Sequence, residues 1–156
     1  MRLSVALVLA LLISSCASGR GVASSVPSPG SELPADAEAG GELPVGDFPD
    51  LADLRPFELV RDGVTFTLGA DGDGRVRYVA TADPDFTTPD GIGTATGIAD
   101  LLRRGLSGDF ASPEVSITPE SRSVYALRSG WYAVAPPVEQ LRAEGASAKV
   151  EWVFAK

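Results

Sequence analysis

Histidine is absent from this 156-residue chain, and cysteine occurs once, at Cys16. Without an imidazole no Ser-His-Asp or Cys-His nucleophile can be assembled, no His-ligated zinc or haem can be held, and the usual switch near neutral pH is missing. A lone thiol forms no intrachain disulfide, so the fold must rest on buried apolar surface and backbone pairing. Lysine is nearly missing as well. Lys149 and Lys156 are the two present, both on or beside the last strand-like segment, which supplies a Ser-Lys nucleophile poorly. Hydrolysis that uses carboxylates alone stays open.

Basic patches are also scarce. The formal net charge is -8, and nucleic acid, which requires a basic face, is excluded as a partner. The acidity is uneven. Between residues 17 and 53, Glu32, Asp36, Glu38, Glu42, Asp47, Asp50 and Asp53 face Arg20 alone, whereas acids and bases nearly balance from Leu54 onward. Residues 17–50 are rich in Ser, Pro, Gly and Ala, with Phe48 as the one aromatic. Such a composition buries too little apolar surface to offset ordering entropy and predicts a disordered acidic tether. Its average reach is on the order of 30 Å, and its charge repels anionic headgroups.

What is present at the start is a positive Met1-Arg2, an aliphatic run from Leu3 to Ile13 broken by Ser4, and the small pair Ser14-Ser15. This is the layout of a signal peptide over residues 1–15. Polarity returns too soon for the roughly 20 apolar residues that a membrane-spanning helix needs. Ile13-Ser14-Ser15-Cys16 resembles the lipobox of bacterial lipoproteins, a branched apolar residue, two small residues and a cysteine. The resemblance implies that Cys16 becomes the mature N-terminus, with diacylglycerol on its thiol and a further acyl chain, such as palmitate, on its amino group. Two or more chains give stable anchoring where one is marginal. It also implies an extracytoplasmic envelope location. Ala17 lacks the acidic residue associated with inner-membrane retention, which allows the outer membrane of a diderm cell. The competing reading is ordinary cleavage after Ala17, for which Ser15-Cys16-Ala17 is a serviceable small-x-small site.

From Leu51 onward hydrophobic density is sustained, and residues 51–156 read as one small domain. Val64–Leu68 and Arg75–Tyr78 alternate around a Gly/Asp turn and predict a β-hairpin, with Phe66, Leu68, Val76 and Tyr78 inward. Residues 97–104 read as a short helix with Thr96 as N-cap, Gly105 as stop, and Ile98, Leu101 and Leu102 on one face. Val124–Leu127 and Trp131–Val134 form a second hairpin around Arg128-Ser129-Gly130. Pro137 opens a second helix that Gly145 stops, and Val150, Trp152 and Phe154 alternate along a final strand. The expected fold class is α+β: an antiparallel sheet of two hairpins and a C-terminal strand, with two short helices on one face. Duplication of a hairpin-helix unit is weakly suggested by this order, but the two halves do not align.

Candidate chemistry is sparse. Asp71-Gly72-Asp73-Gly74 has the look of a calcium loop, yet Arg75 occupies the third ligand slot and no terminal Glu follows, so a hairpin turn is the better reading. Asp83, Asp85 and Asp90 crowd the following loop and are the candidates for a divalent cation; with Asp109 they are also the candidate acids of a carboxylate-dependent glycan hydrolase. Loops are ordinarily rich in Asp and Pro, which is the plainer explanation. Gly91-Ile92-Gly93 before a helix misses the spacing of a phosphate-binding loop. Arg75, Arg77, Arg122 and Arg128 could line one face as an anion or partner site, though a solvated face explains them as well.

Asp85-Phe86-Thr87-Thr88-Pro89-Asp90-Gly91-Ile92 resembles a loop of small secreted bacterial modules of unassigned role, F-x-T-P-[DE]-G-[IL] followed by a V-G-x-[ST] helix entry. Gly130-Trp131-Tyr132-Ala133 and Val150-Glu151-Trp152-Val153-Phe154 match their later G-W-x-A and V-x-W-[IV]-F segments, while Thr94-Ala95 depart at the helix entry. The resemblance covers most of residues 57–156 and implies no activity and no cofactor. The expectation is therefore a lipid-anchored envelope protein with a small binding or accessory domain, its partner an envelope protein or a wall component; the alternative is the glycan hydrolase.

Overall fold

The computed structural model describes residues 26–110 and 120–156. Among them, eight strands build one sheet: β1 (Glu38–Ala39), β2 (Arg55–Arg61), β3 (Val64–Ala70), β4 (Val76–Thr81), β5 (Gly108–Phe110), β6 (Arg122–Ala126), β7 (Tyr132–Pro137) and β8 (Trp152–Ala155). Every pairing is antiparallel, in the order β1-β2-β3-β4-β8-β7-β6-β5. The last strand thus slides between the two expected hairpins and joins them. Helices α1 (Ile98–Arg103) and α2 (Val138–Glu144) complete the α+β architecture. Ile98 and Leu101 of α1 and Leu141 of α2 pack into one apolar cluster, on one side of the sheet. No helix among the described residues is long and apolar enough to cross a membrane.

The hairpin between β2 and β3 turns on Asp62-Gly63, both with positive φ, 51° and 84°. Two residues in that conformation match the twist of the flanking strands, and Arg61 pairs directly with Val64. Asp-Gly between apolar alternations is the strongest short hairpin signal in the chain. Pro56 masks it, because proline argues against a central strand. Here β2 lies near the sheet margin, bordered beyond only by the two residues of β1.

The sheet is apolar on both faces. The first carries Val64, Phe66, Leu68, Val79, Ala133 and Val153 under α1 and the loop that follows β4. That loop is a plug: Phe86 and Ile92 are buried, and Phe86 sits edge-on to Phe66 at 5.3 Å and 5.1 Å from Trp131. Gly93 lets the loop close, because a Cβ there would overlap the carbonyl oxygen of Phe86. Thr88 fixes the turn by accepting the Ile92 N–H on its hydroxyl.

The second face carries Tyr78, Ala80, Val134 and Phe154, and its cover comes from the segment expected to be a tether. Leu43, Phe48 and Leu51 are buried there, with Phe48 edge-on to Phe154 at 5.0 Å. Upstream, Val26, Leu33 and Ala37 pack against the first-face cluster, and β1 joins the edge of β2 between them. Residues 26–54 therefore wrap the sheet margin as a clasp, with one limb on each face. The boundary expected at residue 51 is corrected accordingly. Acidic and Pro-rich as it is, the segment holds its apolar residues at the spacings needed to cover a second face. Cys16, the leader 1–15 and residues 17–25 lie outside the described residues.

Three local expectations change as well. Val76 and Tyr78 do not share a face, because the register shifts at Gly69/Ala70: Gly69 pairs with Tyr78 and Ala70 with Val76, leaving Arg77 as the extra residue of a β-bulge. Thr96 does not cap α1; its hydroxyl accepts the Gly93 N–H at 3.1 Å, while the Ile98 N–H is taken by the Ala148 carbonyl at 2.8 Å. Leu102 is exposed rather than joining Ile98 and Leu101.

Phe48→Ala is expected to lower stability by about 3–5 kcal/mol, the usual cost of truncating a buried Phe, whereas a free tether would give no change in urea denaturation. Gly93→Ala is expected to cost about 1–3 kcal/mol or more by the same measurement, through overpacking against backbone.

Candidate functional site

Where the clasp crosses the second face it does not seal it. A cleft of about 370 Å³ remains between Glu42, Leu43, Pro44 and Asp47 of the clasp and Thr67, Tyr78, Arg122 and Trp152 of the sheet. The bulge at Arg77 creates its floor, since it turns Tyr78 toward this face. Trp152 opens β8 at the level of Val134 in β7, and Arg122 opens β6.

Arg122 organises the cleft. Its Nε donates to Glu151 at 3.0 Å and its Nη1 to Asp47 of the clasp at 3.1 Å, while its guanidinium lies 5.4 Å from the Trp152 ring centroid. One side chain thus ties the β7–β8 connection, the clasp and an aromatic ring together. Lys156 repeats the device at the margin, bonding Asp50 at 2.9 Å beside Phe48. With Glu42 exposed at the rim and Asp47 and Glu151 on the guanidinium, carboxylates outnumber cations around the opening. The site favours neutral polar or cationic groups over anions.

Three buried side-chain polar atoms among the described residues lack a hydrogen-bond partner: Ser31 Oγ, Tyr78 Oη and Trp152 Nε1. Two of the three belong to residues that line this cleft. An unpartnered buried donor or acceptor costs about 1–3 kcal/mol, so such groups are uncommon and call for a partner such as an ordered water or a ligand. Burial pushes the Tyr78 phenol well above its ordinary pKa, and the Trp152 N–H, near enough to favour the phenolate though outside hydrogen-bond geometry, works in the opposite direction. Tyr78 is therefore a neutral phenol throughout the physiological range.

Asp83 and Asp90, two of the carboxylates singled out in the sequence, serve the fold. Asp83 accepts the Thr65 N–H at 3.3 Å and the Asp85 N–H at 3.0 Å, which fixes the start of the plug loop. Asp90 accepts both the N–H and the hydroxyl of Ser129, tying the plug to the β6–β7 turn beside a second concavity of about 330 Å³. Among the described residues no group of three His, Cys, Asp or Glu is placed to hold a metal ion. The side chain of Asp109, in β5, lies outside the described residues.

Asp71 holds the β3–β4 turn: one carboxylate oxygen accepts the N–H groups of Asp73 and Arg75, and the other bonds Arg77 at 2.7 Å. Those bonds, first the Arg75 backbone and then the Arg77 guanidinium, hold its carboxyl below the usual range. The four arginines do not gather. Arg75 and Arg77 flank this turn, Arg122 is in the cleft, and Arg128 lines the second concavity.

Sequence reasoning missed the cleft because half of it comes from the segment read as a tether. The signal available was the recurrence of Leu43, Phe48 and Leu51 within a polar stretch.

Tyr78→Phe is expected to leave the fold as stable or to raise its urea midpoint, because it removes a buried hydroxyl without a partner. It should also lessen the loss of stability above about pH 10, where the raised folded-state pKa otherwise makes phenol ionisation favour unfolding. Asp71→Asn should lower the urea midpoint at neutral pH, with the difference from wild type shrinking as pH falls through and below about 4. A depressed folded-state pKa stabilises only while the carboxylate is charged. No family model, no curated protein and no solved structure matches this chain.

Proposed function

We propose that this is a lipid-anchored envelope protein whose domain acts by binding, through the cleft between clasp and sheet. The observation that carries the binding reading is the pairing of two unpartnered buried polar groups, Tyr78 Oη and Trp152 Nε1, beside an opening whose rim is fixed by Arg122. A ligand group that both accepts and donates hydrogen bonds, neutral or cationic, complements that lining. An envelope protein presenting such a side chain, or a wall component, meets the description. The anchor rests on Ile13-Ser14-Ser15-Cys16 at the close of the leader and on the absence of any other cysteine.

The glycan-hydrolase alternative requires two facing carboxylates with at least one buried. In the cleft Glu42 is exposed and Asp47 is spent on Arg122, and in the plug loop Asp83 and Asp90 bond backbone and Ser129. These engagements favour binding.

Metabolic labelling with a fatty-acid analogue is expected to mark the wild-type chain and not Cys16→Ala, and the variant should be released from the membrane fraction. Label retained in Cys16→Ala would overturn the anchor. A photo-crosslinking residue in place of Val45, exposed beside the cleft, is expected to capture a discrete envelope species in the wild-type background and to lose it when Tyr78→Phe is added. Capture unchanged by that substitution would overturn the cleft as the binding site.

A further inference from the structure

We propose that the lipidated protein sits close against its bilayer with the β3–β4 turn toward the headgroups, and that chain length rather than charge holds it there. The inference rests on the lipidation of Cys16 proposed above. Composition alone suggests a long acidic spacer, and residues 17–50, fully extended, would span on the order of 120 Å. The clasp removes most of that length. Residues 26–54 are committed to the two faces of the sheet, which leaves residues 17–25 between Cys16 and the fold. A stretch of that size spans at most about 35 Å when fully extended, and a flexible coil of the same length averages about 17 Å.

The place where the clasp joins the sheet sets the orientation. The Gly30 N–H donates to the Val76 carbonyl at 2.7 Å, the Val76 N–H to the Ser31 carbonyl at 2.9 Å, and the Leu33 N–H to the Gly74 carbonyl at 2.9 Å. Arg75 adds a bond to the Gly30 carbonyl at 3.2 Å. The chain coming from the anchor is therefore fastened to the β3–β4 turn, and that turn is the end nearest the lipid. From it β4 runs away, β8 returns and β7 runs away again, so α2 begins at the remote end of the sheet.

Charge does not hold the turn down. Arg55, Arg75 and Arg77 are exposed around it, but Asp71, Asp73 and Glu32 stand among them, with Asp71 bonded to Arg77 and the backbone of Glu32 paired alongside that of Arg75. With the two signs balanced, the attraction of anionic headgroups, about 1 kcal/mol for each unopposed base near the surface, largely cancels. The cleft, lined by Thr81, Arg122 and Trp152 toward the remote end of the sheet, then opens about one strand's length beyond that turn, not at the end of a long spacer.

The thiol of Cys16 is consumed by the lipid, so an introduced cysteine is the one free thiol of the mature chain. Full-length lipidated protein carrying Gly72→Cys, at the exposed turn, or Glu139→Cys, on α2, would be labelled with a fluorophore. It would then be reconstituted in vesicles of phosphatidylcholine, alone or with phosphatidylglycerol, containing a headgroup-attached quencher. Quenching is expected to be several-fold stronger at position 72 than at 139, the same in both vesicles, and to fall to the level of 139 when about twenty Gly/Ser residues are inserted after Ser18. Equal quenching at the two positions, indifference to the insertion, or quenching only with the anionic lipid would overturn the placement. Intact-mass measurement of the same sample separates the two ideas: an unmodified Cys16 overturns the anchor and the placement with it, while a diacylglyceryl Cys16 with equal quenching overturns the placement alone.

Discussion

A sheet that is apolar on both sides has no wet face, and in this chain that requirement governs the rest of the structure. Phe154 shows it most directly. It lies on the second face with Tyr132 stacked on it at 4.9 Å, Tyr78 at 5.3 Å and Phe48 at 5.0 Å. Two short helices and a plug loop cover the first face, and the helices leave the second uncovered. Burying an aromatic side chain contributes about 1.5–3 kcal/mol, and leaving several exposed on one patch invites aggregation. The N-terminal segment supplies the missing layer, which explains why a stretch with the composition of a linker is ordered. Its Pro and Gly residues shape the crossing, and Leu43, Phe48 and Leu51 carry the burial.

The order of elements from β3 to β8, the short β5 apart, could be read from local patterns, because each of the others carries its own period and stop signals. The alternation around Asp71–Gly74, the Pro137 entry and Gly145 exit of α2, and the Trp152/Phe154 alternation are all short-range features. What escaped reading is non-local. The pairing of β8 between β4 and β7 fixes which side of Trp152 is dry, and no window of sequence holds that information. The bulge at Arg77 reverses the side on which Tyr78 emerges, although Val76 and Tyr78 alternate as if they shared a face. The clasp was hidden by averaging, since three well-placed apolar residues among acids and prolines do not lift a composition profile. The cleft needs all three of these features at once, and it was accordingly invisible before the fold was in hand.

Arg122 concentrates the connection between fold and site. Its two ion pairs and its ring contact join strand, clasp and connection, so the lining of the cleft and the seating of the clasp are one arrangement. Ion pairs at half-exposed positions contribute little energy individually, but they specify geometry. The apolar residues of the clasp hold it on the sheet, and Arg122 determines where its rim stands relative to Tyr78 and Trp152. That division suits a binding site, in which position matters more than strength.

The margins of the sheet carry a further consequence. On one side β1 covers two residues of β2, Pro56 withholds a donor, and the Asp36–Arg61 pair closes over the strand end; on the other, β5 is three residues long. Open strand edges template the addition of foreign strands, and prolines, charges and brevity are the usual deterrents. Among the described residues, the strand edges are thus poor templates for zipping one copy to another into a continuous ribbon.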